Sequence, residues 1–314
     1  MELVCGDIAN AKAVAHEMGG TFQNPHFWQN PRDPSTSLRA GVGHPNVVGQ
    51  PNVVRYPELW RIEVDSIYLG GGTPTVLEAG QLRRVFDAVR TAFSVLPDTK
   101  VTVECAPGTL SMEMIETLQR CGVNRVSLGV QSFVDREAAA VGRLHKGATV
   151  LDDIARLRAA GITNINIDLI AGLPHQTALS WQQSLEATIA TGAPHVSVYM
   201  LEIDEDSRLG SELIAGGTRY HAHFVPDEDE VADFYSVACE KLEAAGIAQY
   251  EISNFARTGF ESSHNLKYWT RQPYLGFGVD AHSMLFSASI SGGAVRFSTA
   301  DSLDKYVGGA PVQK

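Results

Sequence analysis

Residues 67–75 read Ile67-Tyr68-Leu69-Gly70-Gly71-Gly72-Thr73-Pro74-Thr75, and this stretch decides the fold. A short apolar run stops at three glycines, and a helix-like pattern follows from Val76 to Phe93. With no Cβ atoms in the way, such a backbone can come very close to a ligand. At the C-terminal end of a parallel strand, the turn would face the end of a barrel where active sites are assembled. A bare strand–turn–helix corner has the same signature, so the rest of the chain has to decide between the two.

Working outward, apolar runs recur at Ser66–Leu69, Val101–Cys105, Arg125–Val130, Asn164–Ile170 and His195–Leu201. Helical patterns alternate with them at Val76–Phe93, Ser111–Cys121, Ala148–Ala160 and Leu179–Thr191. Gly122, Gly161 and Gly192 sit just past three of these helices, where a left-handed cap is expected. Strands alternating with helices of this length predict βαβ units, a parallel sheet and right-handed crossovers. The fold class is therefore α/β, a partial TIM-like (β/α)6 barrel with a C-terminal α/β extension. A longer helix, Glu228–Ala245, follows the last unit, and 286–314 reads as irregular.

The expected organisation has four parts. Residues 1–20 read as the first barrel helix, and 21–57 as a disordered, proline-rich insertion in which PNVV occurs twice. The partial barrel covers 58–226. An extension over 227–314 carries the segment HNLKYW and reads as truncated at its end.

Composition narrows the function classes. With 44% hydrophobic and 19% charged residues the chain is globular, and its net charge of -11 argues against a nucleic-acid binder driven by phosphate contacts. No apolar run reaches the length of a membrane span, and the N-terminus lacks the basic start and apolar core of a signal peptide, so a cytoplasmic location is expected. Cys5, Cys105, Cys121 and Cys239 are scattered and form neither a disulfide framework nor a local metal motif. Each reads as a small buried apolar residue.

The strand ends carry the chemistry. After Gly70–Thr73 come Glu104 in VTVECAPGTL, Gln131 in VSLGVQSF and Asp168 in NINIDLIAGLP, with Arg143 in the loop VGRLHKG. Any one of these is explained by a cap or an ion pair. Polar groups at equivalent places in successive units point instead to one shared polar ligand. Hydroxyls would suit Glu104 or Asp168, a carboxylate would suit Arg143, and an amino group would suit carbonyls near the glycines. A nucleoside joined to an amino acid has all three.

The ordered series GGGTPT, VECAPGTL, RVSLGVQSF, GRLH, NIDLIAGLP and HVSVY resembles the radical S-adenosylmethionine (SAM) proteins of the oxygen-independent coproporphyrinogen III oxidase family. The later blocks YEISNFARTGFESSHNLKYW and YLGFGVDAHS are similar to its HemW-type heme chaperone branch. The resemblance implies that Gly71, Gly72 and Thr73 hold the amino-acid end of SAM, and that Glu104, Gln131, Arg143 and Asp168 complete that pocket. It makes His264 the candidate heme contact, with Asn265, Tyr268 and Trp269 around it. Imidazole is a common axial ligand of heme iron. From its chemistry alone, His264 reads equally as a hydrogen-bonded structural histidine, and His282 is a weaker candidate. Heme-accepting proteins are the implied partners.

The family also implies a [4Fe-4S] cluster held by a CxxxCxxC motif, and this sequence contains no such motif. The resemblance sets Met1 against the helix that follows the cluster loop. The expectation is therefore a truncated reading frame without the first strand and the cluster ligands, with an open sheet edge and no radical activity. Two other readings remain: an oxygen-independent coproporphyrinogen III oxidase, and a non-radical nucleotide-binding barrel.

Overall fold

The computed structural model describes residues 62–203, 208–217, 219–287, 290 and 292–308, together with the backbone of Gly20 and Thr21. Of the helix expected over 1–20 and the insertion expected over 21–57, only Gly20 and Thr21 are among the described residues, and their backbone forms a strand rather than helix or disorder. In chain order the elements are β1 (Gly20–Thr21), β2 (Glu63–Leu69), α1 (Ala79–Ala92), β3 (Ser94–Cys105), α2 (Met112–Arg120), β4 (Arg125–Gln131) and α3 (Asp135–Ala140). There follow α4 (Gly147–Ala159), β5 (Asn164–Ala171), α5 (Ala178–Ala190), β6 (His195–Met200), α6 (Arg208–Ile214) and α7 (Glu228–Ala244). The last are β7 (Ala248–Gln249), β8 (Asn254–Ala256), α8 (Ser263–Trp269), β9 (His282–Ser287), β10 (Ala294–Ser298) and α9 (Leu303–Val307).

Seven strands form one curled sheet in the order β2-β3-β4-β5-β6-β8-β7. The pairs β3–β4, β4–β5 and β5–β6 are parallel, and β8 and β7 add antiparallel. This is the α/β partial barrel expected from the alternation of elements. Among the described residues β2 is an edge strand, and none of its seven residues is buried. An edge strand leaves backbone donors and acceptors unpaired, which is a liability in an isolated sheet.

The helices begin and end where local chemistry says they should. Ser111 caps α2 by accepting the Met114 N–H, and Thr177 and Asp227 form reciprocal capping boxes with Ser180 and Glu230. Glu228, Asp229 and Glu230 place negative charge in the first turn of α7, where the helix dipole favours it. After α2, Gly122 takes φ 72°, and the Val123 N–H returns to the Leu118 carbonyl. A side chain there would carry the left-handed penalty that glycine avoids.

The chain packs as two compact units. The larger comprises Asp65–Arg83 and Asp98–Leu266. Its strands divide their residues strictly by face. Val126, Leu128 and Val130, Ile165, Ile167 and Leu169, and Val196 and Val198 are all at most 1% exposed. With Ile115, Leu118, Leu157, Trp181, Leu185 and Leu242 from the helices they make an apolar layer outside the sheet. Each such side chain is worth roughly 1.5–3 kcal/mol on burial. The loop after β3 is fixed from outside, because Asp153 on α4 accepts the Gly108 N–H at 2.6 Å and pairs with Arg156, which also donates to the Leu110 carbonyl. Burial pushes the Asp153 carboxyl up, against the Gly108 N–H and Arg156, which favour its charged form.

The second unit comprises residues 1–64, Arg84–Pro97 and Lys267–Lys314. Within it β9 pairs antiparallel with both β1 and β10, and Tyr274 bridges to Met284. The stretch from 286 onward is therefore not irregular as expected, since it holds β10 and α9. These elements are only five residues each, too short for periodicity to declare them.

Trp181 is fully buried, and its indole N–H donates to the Phe234 carbonyl at 2.6 Å, tying α5 to α7. Trp181→Ala removes that bond and opens a cavity, so stability should fall by about 3–5 kcal/mol in urea unfolding.

Candidate functional site

The inner face of the larger unit is polar, and this sets it apart from barrels filled by branched aliphatics. Alternation puts Arg125 and Ser127 of β4, Asn164, Asn166 and Asp168 of β5, and His195, Ser197 and Tyr199 of β6 on that face. The registers stack them in layers. Arg125 lies opposite Asn164, Ser127 opposite Asn166, and Asp168 opposite Ser197, with Asn254 of β8 beside Ser197.

Hydrogen bonds join these layers into one network. The Asn166 Nδ2 donates to Asp168 Oδ1 at 2.7 Å and lies 2.7 Å from Ser127 Oγ. The Ser127 hydroxyl donates to Asp168 Oδ2 at 2.9 Å. The Asn166 Oδ1 faces His195 Nδ1 at 2.6 Å. An amide oxygen only accepts, so Nδ1 carries the proton and Nε2 is left to accept from the Tyr250 hydroxyl at 2.9 Å. Tyr250 in turn accepts the Ser262 N–H at 3.2 Å, and Ser262 Oγ accepts the Asn265 N–H at 3.3 Å, at the start of α8. The Ser197 hydroxyl donates to Asn254 Oδ1 at 2.7 Å.

Electrostatics follow from this enclosure. Burial pushes the Asp168 carboxyl up, while the serine hydroxyls and Arg125 act the other way. Burial, with the Arg125 charge added, pushes His195 well below the usual 6.5, so it is neutral in the tautomer given above. Three buried polar atoms have no partner among the described residues: Arg125 Nε, Glu137 Oε1 and Asn164 Oδ1.

The triple glycine sits at the end of β2. Gly71 takes φ 80°, and nothing stands within 4 Å of where its Cβ would be, so its backbone is open to a ligand. The Gly71 N–H donates to Glu104 Oε2 at 3.1 Å, and the Tyr68 hydroxyl donates to Glu104 Oε1 at 2.7 Å. Gly70 is needed for another reason, because a Cβ there would fall 2.6 Å from the Glu104 carboxylate. Burial first, then Glu104 and Asp168, raise Tyr68 far above its usual range, which keeps it a neutral donor. The Tyr68 ring stacks on His264 with centroids 4.5 Å apart and planes 20° from parallel.

The residues singled out from sequence thus fall into groups. Glu104 joins Gly71 directly, Asp168 lies in the polar network, and His264 meets the glycine-bearing strand through Tyr68. Thr73 is half-buried, and its carbonyl accepts the Val76 N–H at 3.0 Å. Gln131 is 8% exposed with φ 66°, an uncommon conformation for a side-chain-bearing residue, at a register shift that ends β4. Arg143 is half-buried in the loop after α3, and its charge acts on His145. Neither Gln131 nor Arg143 makes a direct bond to Glu104 or Asp168. Sequence reasoning missed Tyr68, Arg125, Asn166, His195 and Tyr250, although polar residues at every second position of β4, β5 and β6 signal the inner face.

The iron–sulfur cluster finds no home among the described residues. Cys105 and Cys121 are buried and Cys239 is half-buried, on separate elements, and no group of three or more His, Cys, Asp or Glu is placed to hold a metal ion. Burial also pushes the Cys105 thiol up, away from the thiolate a metal needs. The open Gly71 and Gly72 backbone beside Glu104 does suit a small zwitterionic ligand.

Comparison with known proteins bears on the same elements. Residues 47–187 match the family model described as the radical SAM superfamily. The chain is 40% identical over 224 residues to the heme chaperone HemW of Bacillus subtilis, covering 71% of this chain and 58% of that protein. It is 36% identical over 249 residues to HemW of Lactococcus lactis, covering 79% and 62%. For HemW of Escherichia coli the identity is 35% over 221 residues, covering 70% and 56%. Among solved structures, coproporphyrinogen III oxidase HemN from Escherichia coli, a radical SAM enzyme, superposes with TM-score 0.63 at 22% identity, covering 77% of this chain and 56% of that one. That likeness shows the fold. The chain therefore spans between 56% and 62% of the length of these curated relatives. No helix among the described residues is long and apolar enough to cross a membrane.

A neutral buried histidine makes the fold sensitive to acid. In the unfolded chain His195 binds a proton near pH 6.5, while in the fold it does so only at lower pH. Its contribution is present above 6.5 and is lost as pH falls from there toward its folded value. Each such group costs about 1.4 kcal/mol per pH unit in that window. Urea unfolding at pH 7.5 and 5.5 should show the loss, and His195→Gln should reduce the pH slope by about one proton.

Proposed function

The chain belongs to the radical SAM superfamily, and from that premise we propose that it handles heme in the manner of the HemW chaperones it resembles. SAM would meet the open backbone of Gly71 and Gly72, with Glu104 taking a donor group of the ligand while it holds Tyr68 and Gly71. Thr73, Gln131, Arg143 and Asp168 are proposed as the remainder of that pocket. With no ligand set for the cluster among the described residues, no redox step is assigned.

Heme would be held by His264. The observation that carries this reading is the placement of that imidazole. It is half-buried on α8 and stacked on Tyr68, within one residue-to-residue contact of the Glu104–Gly71 pair. Stacking fixes the ring plane and so the direction of its nitrogens, which lowers the cost of orienting an axial ligand. Tyr68 stacks on His264 and donates its hydroxyl to Glu104, so the two binding regions would share one support. Proteins that receive the heme would be its partners.

Titration of the chain with hemin should give a saturable Soret shift. His264→Ala should weaken binding by about tenfold or more, a loss of at least roughly 1.4 kcal/mol. His282→Ala should change it little. Equal affinity in wild type and His264→Ala would remove His264 from the site, and absence of any saturable shift would end the heme reading.

A further inference from the structure

Arg125 is 4% exposed, yet its guanidinium makes no hydrogen bond or ion pair among the described residues, and its Nε is sealed without a partner. A guanidinium carries five donors in a planar fork and does not shed its proton under ordinary conditions. Burying that charge without a partner costs several kcal/mol, so natural cores pair it or place it where an anion arrives. Arg125 lies in the lowest layer of the inner face, opposite Asn164. Its charge nevertheless acts on residues further along the strands and in the loops beyond them, namely Tyr68, Asp168, His195, Tyr199 and Tyr250.

The groups around it do not satisfy it. Asp168 is the acid facing it, but both Asp168 oxygens are engaged, by Ser127 and Asn166. Desolvation also raises the Asp168 carboxyl and weakens its value as a counter-ion. His195 offers no acceptor, because Nδ1 donates to Asn166 and Nε2 accepts from Tyr250. The Tyr68 hydroxyl donates to Glu104, and its oxygen makes no bond to the guanidinium. What is lacking is a planar oxyanion matched to the guanidinium fork, and a carboxylate is that species.

We propose that Arg125 is the carboxylate-recognition residue of the barrel bore, and that it pairs with a propionate side chain of a bound porphyrin. This rests on the heme reading above and adds to it a basis for selecting carboxylate-bearing macrocycles. His264 would answer to the iron, and Arg125 to the periphery of the ring. The pair would stay strong because Arg125 is buried, and a ligand lacking the carboxylate would leave the buried charge unmatched.

Iron protoporphyrin IX and its dimethyl ester test this directly, since they share iron and ring and differ only in the two carboxylates. The wild-type chain should bind the free acid at least about tenfold more tightly by Soret titration, as expected for one buried charge-assisted pair. Arg125→Met and Arg125→Gln should bind both forms with nearly equal affinity while keeping the Soret position set by His264. Either variant suffices if the other fails to fold, as checked by circular dichroism. Equal wild-type affinity for acid and ester would overturn the proposal and leave the heme reading intact, as would a preference that survives in both variants. Binding of SAM lost in Arg125→Met, with no acid–ester preference in wild type, would reassign the residue to the methionine carboxylate. Failure of either porphyrin to bind would defeat the heme reading and this proposal together.

Discussion

The carboxamide of Asn166 is the interaction on which the barrel interior depends. Its oxygen faces the His195 N–H, and its nitrogen reaches Asp168 and Ser127. A buried amide left with one side unpaired costs about 1–3 kcal/mol, and each of its neighbours would lose a partner as well. Because the amide offers an acceptor and donors on opposite edges, it dictates which nitrogen of His195 carries the proton. That choice sets the direction of the Tyr250 hydroxyl, and Tyr250 accepts from Ser262 at the foot of the helix bearing His264. One amide orientation in the middle of β5 thus propagates to the loop that positions the candidate heme ligand.

A polar bore is expensive, and the cost is offset outside it. Residues 126, 128 and 130, 165, 167 and 169, and 196 and 198 bury essentially all of their surface. The same strands can therefore hold a hydrophilic inner face that aliphatic packing could not supply. This is a difference of function as much as of architecture. A bore filled with Val and Ile would be more stable but could not receive a charged or hydrogen-bonding ligand. The unpaired Arg125 Nε and Asn164 Oδ1 lie on facing residues of β4 and β5, where that compromise is most visible.

The sequence made the alternation of strands and helices legible, because each βα unit carries its own caps and its own period. The stop signals at Gly122, Gly161 and Gly192 all fall at left-handed residues. The short α3 and the elements after 245 were harder to read. Six residues of helix or three of strand are too few for a period, and β8 is held by its register with β6 rather than by any local preference. In the site, the strand tips stood out because Glu104 and Asp168 interrupt apolar runs. Arg125, Ser127, Asn166 and His195 were hidden inside the same runs, where alternate polar residues read as the usual solvent face of a strand. Only the curl of the sheet turns that face into an interior. The stacking of His264 on Tyr68 joins residues 196 positions apart, and nothing local in either segment announces it.

Tyr68 ties the glycine turn to His264. A phenylalanine would stack on His264 equally well, and a serine could bond Glu104 if it reached, but only tyrosine does both from one backbone position. Its hydroxyl is useful because it does not ionise. Burial and the nearby Glu104 and Asp168 charges hold the proton on well above the usual tyrosine range, so it stays a donor to Glu104. Glu104 in turn fixes Gly71, whose left-handed backbone no other residue would adopt cheaply. Withdrawing the tyrosine hydroxyl would leave the Glu104 carboxylate with one fewer donor and the turn with a less constrained anchor, although neither glycine had changed. The middle of the three glycines that stand out in the sequence is thus held by a carboxylate from the strand after it, which a tyrosine from the strand before it holds in turn.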